Sequence, residues 1–456
     1  MSTSDRVQRR NLVLLWASQF INTAGLMMLV PIMPFYVQGM GIRGMAEVQT
    51  WAGVAIAAPA LALTVATPLW GRLGDRIGRH WMVVRALVGL ALSMLVMAVA
   101  GNPIMLIVGR LLQGSLGGVV EAAQAFAGAA GPGNKRGSAL GKSFSATAAG
   151  SLTGPVLGGA LIGAGQLSTL MIAIGAIAAV LAGACALGLR DPHATQPTVP
   201  ATTSMATPQH RSQKAGFWQV PGAIPLAVAA VAAYFGVYGF IPVFAEHVQH
   251  SFPPDQAGLW VGIFQSLTWA ATLLASFWWG RHNDQHQRPV RALAIAAIVC
   301  AVSIAAQALP LGATALIVLR IGQGASFAAL AQSLFFHVSH HAPEQHRSGY
   351  VGMANSFLLA GQSAGPLLAG PLAIVASTQT SITIMGTACA VAGLCCLRAL
   401  RTDNSDNEQT LPESPPPVLR RMSGNLNQTS EHTNPIRPLP RTDPATTHAD
   451  NHSGSR

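Results

Sequence analysis

Long apolar runs separated by short polar stretches dominate this chain. Twelve runs can be placed, over residues 11–37, 50–70, 81–100, 104–128, 139–163, 167–189, 220–245, 257–280, 290–309, 312–336, 348–374 and 379–400. Each is close to the ~20 apolar residues that carry an α-helix across a hydrocarbon core. The pattern predicts an all-α integral membrane protein with twelve transmembrane helices. A polar stretch over 190–219, rich in Thr, Pro and Gln, divides them into six (11–189) and six (220–400), behind a short N-terminal segment, 1–10. Beyond residue 400 the apolar pattern stops. Residues 401–456 are rich in Pro, Asn, Asp, Ser and Thr and are expected to form a disordered tail. The first run is too long for the apolar core of a secretory leader and lacks a small-residue cleavage site, so no cleaved signal is expected.

Composition strengthens the membrane reading. Half of the 456 residues are hydrophobic and only 9% are charged, against about 25% charged in soluble domains. The net charge of +11 does not mark a nucleic-acid partner, because the basic residues sit in short clusters between apolar runs. Their sidedness sets the topology. Arg6, Arg9 and Arg10, then Arg72, Arg76, Arg79 and Arg85, then Lys135, Arg136 and Lys142, then Arg281, Arg288 and Arg291, and finally Arg347 all fall on one side. The opposite loops carry only Arg43. Lys and Arg accumulate in cytoplasmic loops, so both termini are expected in the cytoplasm of a protein in the cytoplasmic (inner) membrane. The five cysteines all lie in apolar runs and are expected to be buried and unpaired. His337, His340, His341 and His346 cluster after the tenth run, with His282 and His286 in the preceding loop. Without a tight coordination pattern they read as a solvated loop rather than a metal site.

The two halves echo each other at an offset of about 210 residues. Arg110-Leu-Leu-Gln113-Gly114 in the fourth run matches Arg320-Ile-Gly-Gln323-Gly324 in the tenth. Gly150, Gly154, Pro155, Gly158 and Gly159 in the fifth match Gly361, Gly365, Pro366 and Gly370 in the eleventh. The loop after the second run reads Gly71-Arg72-Leu73-Gly74-Asp75-Arg76-Ile77-Gly78-Arg79, and Gly280-Arg281-His282-Asn283-Asp284 is its decayed copy. Such repeats predict two pseudo-symmetric six-helix bundles with a substrate site between them near the midplane.

With these motifs in order, residues 11–400 resemble the major facilitator superfamily, in particular its twelve-helix drug:proton antiporter branch. Gly71–Arg79 resembles the family's 2–3 loop signature, with His80 where a second basic residue is usual and Gly74 where Ala is common. Arg110–Gly114 resembles the fourth-helix signature, and Gly150–Gly159 the fifth-helix signature associated with antiporters. Gly25, Pro31 and Pro34 fit the first-helix pattern. The resemblance implies alternating access, proton coupling and export of drug-like or amphipathic small molecules.

Several residues then become candidates. Gly71, Gly74 and Gly78 allow a tight turn, and Asp75, Arg76 and Arg79 could form a conformational latch against the other half. A solvated turn with topology-setting arginines is the other reading. Arg110 and Glu121 lie inside an apolar run, where ionisable groups cost about 2.5–3.5 kcal/mol on insertion scales and need a partner or water. Eleven positions apart on a continuous helix, they share one face, close to that of Gln113 and Gln124. Glu121 is the only carboxylate placed inside a span, so it and Arg110 are the proton-coupling candidates. A water-facing Glu121 without a coupling role is the alternative. In the fifth run, Gly150, Gly154, Pro155, Gly158 and Gly159 form either a specific hinge or a generic small-residue packing groove. Gln19, Asn22, Gln113, Gln124, Tyr234, Tyr238, Gln265, Trp269, Arg320, Asn355 and Gln362 are cavity candidates, although the polar and aromatic ones taken singly suit a helix–helix hydrogen bond or packing role better than a ligand contact.

No phosphate-cradling loop, metal-ligand spacing or nucleophile elbow is present, so neither an enzyme nor a cofactor is expected. The expected partners are a small-molecule substrate, protons and the lipid bilayer, with the chain acting as a monomer. Export of one metabolite such as a siderophore is the first alternative. A transport-dead sensor or scaffold is the second.

Overall fold

The computed structural model describes residues 3–77, 79–120, 122–123, 136–163, 165–189, 217–343 and 347–409. Among them every regular element is helical: α1 (Thr3–Leu29), α2 (Met33–Gly39), α3 (Met45–Ile77), α4 (Arg79–Ala98), α5 (Pro103–Ser115), α6 (Arg136–Gly163), α7 (Leu167–Gly188), α8 (Ala223–Ser251), α9 (Pro254–His286), α10 (Pro289–Ala306), α11 (Ala313–His341), α12 (Arg347–Val375) and α13 (Thr378–Gln409), with a single 3₁₀ turn at Phe217–Gln219. Ten helices among the described residues are long and apolar enough to cross a membrane, and α5 and α6 fall outside that set. The chain divides into two units, Met1–Ser405, which holds the packed helices, and Asp406–Arg456. Only residues 406–409 of the second are described.

Packing within Met1–Ser405 repeats itself. α1 lies on α6 as α8 lies on α12, and α3 lies on α5 as α9 lies on α11. The two most extensive crossings between the halves are α6 on α9 and α3 on α12. The crossings need small residues. A Cβ at Gly150, Gly154 or Gly158 would overlap the backbone of α1 at Phe20, Ala24 and Met28, and at Gly361 or Gly365 that of α8 at Val231 and Phe235. Gly114 abuts Pro59 and Gly324 abuts Thr268 in the same manner. In lipid, helices gain little from burying apolar surface against each other, so close backbone approach supplies the attraction.

The apolar runs overlap these helices, with instructive differences. The first run is broken after Leu29, because Pro31 cannot donate and Pro34 sits in the first turn of α2. α3 continues to Ile77, so Gly71 and Gly74 lie in a helix rather than a loop. A glycine costs about 1 kcal/mol in a helix, too little to end one. The fourth run does not form one continuous helix. α5 stops at Ser115, and Gly118 follows at a φ of +92°, a left-handed conformation natural to glycine. The free carbonyls of this break are satisfied: the Trp70 indole donates to Ser115 O at 2.6 Å and the Arg85 guanidinium donates to Gly117 O at 2.7 Å. The Trp70 bond recurs in the other half, where the Trp279 indole donates to Ala325 O at 2.8 Å although α11 there is unbroken. α8 runs on to Ser251, where Pro253 and Pro254 stop it. α13 reaches Gln409, so the first residues assigned to a disordered tail are helical. His337, His340 and His341 belong to the last turns of α11, not to a solvated loop. His346 lies outside the described residues. The cysteines are unpaired, as expected, and all but the half-buried Cys395 are buried.

Candidate functional site: a cavity between the halves

A cavity of about 320 Å³ lies between the halves, lined from α1, α3, α5 and α6 on one side and α8, α9 and α12 on the other. Seven predicted residues meet there: Asn22, Arg110, Gln113, Tyr238, Gln265, Trp269 and Gln362. A smaller recess shares Tyr238, Gln265 and Trp269 with it and is lined by Arg320, Gln323 and Phe327. Tyr234 packs behind, its ring 5.5 Å from Tyr238 and 5.4 Å from Phe327. Gln19 is buried and donates to Leu15 O within its own helix, and Asn355 is exposed. Neither lines the cavity.

The two arginines are held in related ways. Arg110 donates through Nε to Ala55 O (2.8 Å) and through Nη1 to Gln113 Oε1 (2.7 Å). Arg320 donates through Nη1 to Gln323 Oε1 (3.3 Å), and its guanidinium lies 3.6 Å from the Phe244 ring centre and 4.9 Å from that of Phe240. Gln323 is fixed in turn by the Gln307 amide at 3.1 Å. Both arginines are 1% exposed, yet neither pairs with a carboxylate among the described residues. Three buried donors here lack a partner among the described residues: Gln113 Nε2, Trp269 Nε1 and Arg320 Nε. A buried donor without an acceptor costs about 1–3 kcal/mol. A ligand offering oxygen acceptors would satisfy them. A protonated amine, which has no lone pair to offer, would not.

The other motif residues fall elsewhere. Gly150, Gly154 and Gly158 face α1, whereas Gly159 meets Gly258, and the Pro155 carbonyl meets Gly262, across the α6–α9 crossing. Glu121, Gln124 and Gly78 lie outside the described residues; Gly71, Gly74, Asp75, Arg76 and Arg79 have helical backbone, and the side chains of Asp75, Arg76 and Arg79 are not among those described. The continuous helix from which a shared face of Arg110 and Glu121 was expected is interrupted at Leu116–Gly118.

One inter-half cluster escaped the sequence reading. Glu246 is 7% exposed and lies inside the membrane-length α8, so Glu121 is not the sole carboxylate within a predicted span. Its carboxyl accepts from Gln49 Nε2 on α3 and from Thr378 Oγ1 on α13, both at 2.7 Å. The Gln49 amide also donates to Pro242 O at 3.2 Å. Beside them Gln38 and Gln249 exchange amide hydrogen bonds of 3.1 and 2.9 Å. These bonds tie α2 and α3 to α8 at one end of the cavity. Glu246 was missed because the run was ended at residue 245. The Pro253-Pro254 pair is the stop signal that would have included it.

Comparison with known proteins agrees with this architecture. The sequence profile of the Major Facilitator Superfamily matches residues 15–305 and 226–438. The chain is 35% identical over 416 residues to the staphyloferrin B transporter of Staphylococcus aureus, covering 89% of this chain and 96% of that protein. It is 37% identical over 153 residues to the multidrug resistance protein MdtG of Proteus mirabilis, covering 34% of this chain and 38% of that one. Among solved structures, a bacterial homologue of the human lysosomal transporter Spinster, in an inward-facing, occupied conformation, superposes with a TM-score of 0.68 at 15% identity, over 88% of this chain and 98% of that one. A POT family transporter bound to a thioalcohol-conjugated peptide superposes with a TM-score of 0.70 at 12% identity, over 86% and 96%. Profile, near-full-length relative and fold converge, and the chain belongs to the Major Facilitator Superfamily as a multi-pass membrane transporter of small molecules.

Proposed function

We propose that this protein is a secondary active transporter of twelve membrane-spanning helices, in two six-helix halves, that exports an anionic, acceptor-rich metabolite of the siderophore class in exchange for protons. The observation that carries the substrate class is the cavity's charge. Arg110 lines it and Arg320 lies in its recess, with no carboxylate among the described lining residues. The free donors of Gln113, Trp269 and Arg320 point to the same ligand chemistry. The near-full-length likeness to a staphyloferrin B transporter supports this reading. The likeness to MdtG covers about a third of each chain and supports the broader drug-export reading less. On this proposal both termini lie in the cytoplasm beneath the inner membrane, and Glu121 with Arg110 carries the proton coupling, while the segment Gly71–Arg79 latches the halves.

A second reading, export of amphipathic drugs, is favoured by the aromatic wall of Tyr238, Trp269 and Phe327. One experiment separates the two. Purified protein in proteoliposomes with an imposed pH gradient is offered carboxylate siderophores and, separately, cationic dyes. The proposal expects gradient-driven movement of the siderophores, abolished by Arg110→Gln, with little movement of the dyes. Dye transport without siderophore transport would establish the second reading instead. Siderophore transport indifferent to the gradient and to Glu121→Gln would remove the proton-coupling part.

A further inference from the structure

The histidine cluster at the end of α11 is not spent on the cavity between the halves. It forms one wall of a separate recess of about 380 Å³, opposite the start of α10 and beside Leu400 of α13. Arg288 and Arg291 line it with His340 and His341, and Phe336 and Leu400 supply its apolar side. All four basic side chains are exposed, none of the lining residues is acidic, and neither arginine makes an ion pair among the described residues. The wall is ordered by local bonds. His341 Nδ1 donates to His337 O at 2.9 Å, and Gln287, at a φ of +51°, turns the chain so that Arg288 caps α10. The first turn of α10 adds backbone N–H groups without intrahelical acceptors, which favour an anion.

Placement distinguishes this recess from an ordinary basic surface patch. Three membrane-length segments end at it: α10 begins at Pro289, α11 stops at His341, and the apolar part of α13 stops at Leu400. The recess therefore sits where hydrocarbon gives way to headgroups. From it, towards the membrane interior, α10 presents Ile295, Ile298 and Val302 outward, and α13 presents Leu394 and Leu397, all exposed. Gly393 brings α13 against Ile298, so these faces adjoin. A cationic recess opening onto an apolar track matches one amphipathic molecule in both its parts. Basic pockets between helices at a membrane face hold anionic headgroups in this way.

We propose that the recess formed by Arg288, Arg291, His340 and His341 binds the phosphodiester headgroup of an anionic phospholipid, whose acyl chains lie along α10 and α13. Free phosphate shares the headgroup's charge but not the chains, so the test separates them. The full-length protein is placed in phosphatidylcholine nanodiscs doped with phosphatidylglycerol carrying a photoactivatable acyl chain, and labelled peptides are mapped by mass spectrometry. Labelling is expected on α10 and the end of α13. It should be displaced by unlabelled phosphatidylglycerol and unaffected by inorganic phosphate or phosphatidylcholine. Arg288→Gln with Arg291→Gln should cut it by about fivefold per removed cation, while Arg288→Lys with Arg291→Lys retains most of it. The charge-keeping pair controls for misfolding, as does a monodisperse elution profile of the glutamine pair. Equal labelling by a phosphatidylcholine probe, or unchanged labelling in the glutamine pair, would overturn the proposal. Displacement by inorganic phosphate would overturn the lipid and leave a free-anion site.

Discussion

Glu246 offers the most direct test of how the halves are held together. Its two carboxyl oxygens each accept one bond of 2.7 Å, from Gln49 and from Thr378. Replacing it with glutamine keeps the shape, and both bonds can be remade because the Thr378 hydroxyl can accept from the new N–H₂ group. What is lost is the charge, and a charge-assisted hydrogen bond exceeds a neutral one by about 1 kcal/mol, so the two bonds together lose about 2 kcal/mol. If these bonds exist only while this end of the cavity is closed, the ratio of closed to open protein should fall by about tenfold to a hundredfold, at 1.4 kcal/mol per factor of ten. The neighbouring Gln38–Gln249 pair supplies the readout. In a Gln38→Cys, Gln249→Cys background, oxidative cross-linking reports closure, because these two side chains touch. The buried native thiols, Cys185, Cys300, Cys389 and Cys396, should not compete. Adding Glu246→Gln should slow cross-linking by the same factor, and adding Glu246→Ala, which removes both acceptors, should slow it further. An unchanged rate in both variants would refute the idea that Glu246 holds the closed end, whatever the effect on transport.

Other expectations follow from the packing. Gly159→Ala places a methyl group against Gly258 and Gly262 across the α6–α9 crossing, so it should lower the melting temperature in detergent, by about 1–3 kcal/mol of overpacking, and impair transport. Gly183→Ala, which meets nothing within 4 Å, should do neither. Arg110→Lys loses the fixed fork between Ala55 O and Gln113 and should raise the substrate KM by tenfold or more in a vesicle uptake assay, because an ammonium cannot reproduce a planar guanidinium. Trp70→Phe strands the Ser115 carbonyl and should cost about 1–3 kcal/mol, read as a drop in thermal stability; Trp279→Phe should cost less, about 0.5–1.5 kcal/mol, because Ala325 O lies within the unbroken α11 and keeps an intrahelical donor.

The fold was legible for physical reasons that particular residues make plain. Apolar runs of membrane length can only be helices in lipid, and the Gly150–Gly154–Gly158 spacing announces a helix approached closely by another. Arg110 and Arg320 stood out because guanidinium groups inside apolar runs demand a buried setting, and both are almost wholly buried. Rotation of the helices was far less legible. An apolar helix in a membrane carries no solvated face to betray its orientation, so Gln19, Tyr234 and Asn355 could not be told apart from Asn22, Tyr238 and Gln362. Distance along the chain misled in two places. The break at Leu116–Gly118 invalidates angles counted across it. An endpoint drawn at residue 245 hid Glu246, whose partners on α3 and α13 are far away in sequence.

The paired tryptophan bonds show how one helix can be interrupted without coming loose. Trp70 to Ser115 and Trp279 to Ala325 are matching anchors in the two halves. Arg85, by contrast, braces the Gly117 carbonyl, and the chain has Ala294 and Ile295 at the matching offset in the other half. The brace stands where the helix is interrupted, and α11, unbroken at the matching place, has no arginine to supply one. The half bearing Arg110 thus grips its broken helix twice, at the last carbonyl before the gap and at a carbonyl within it.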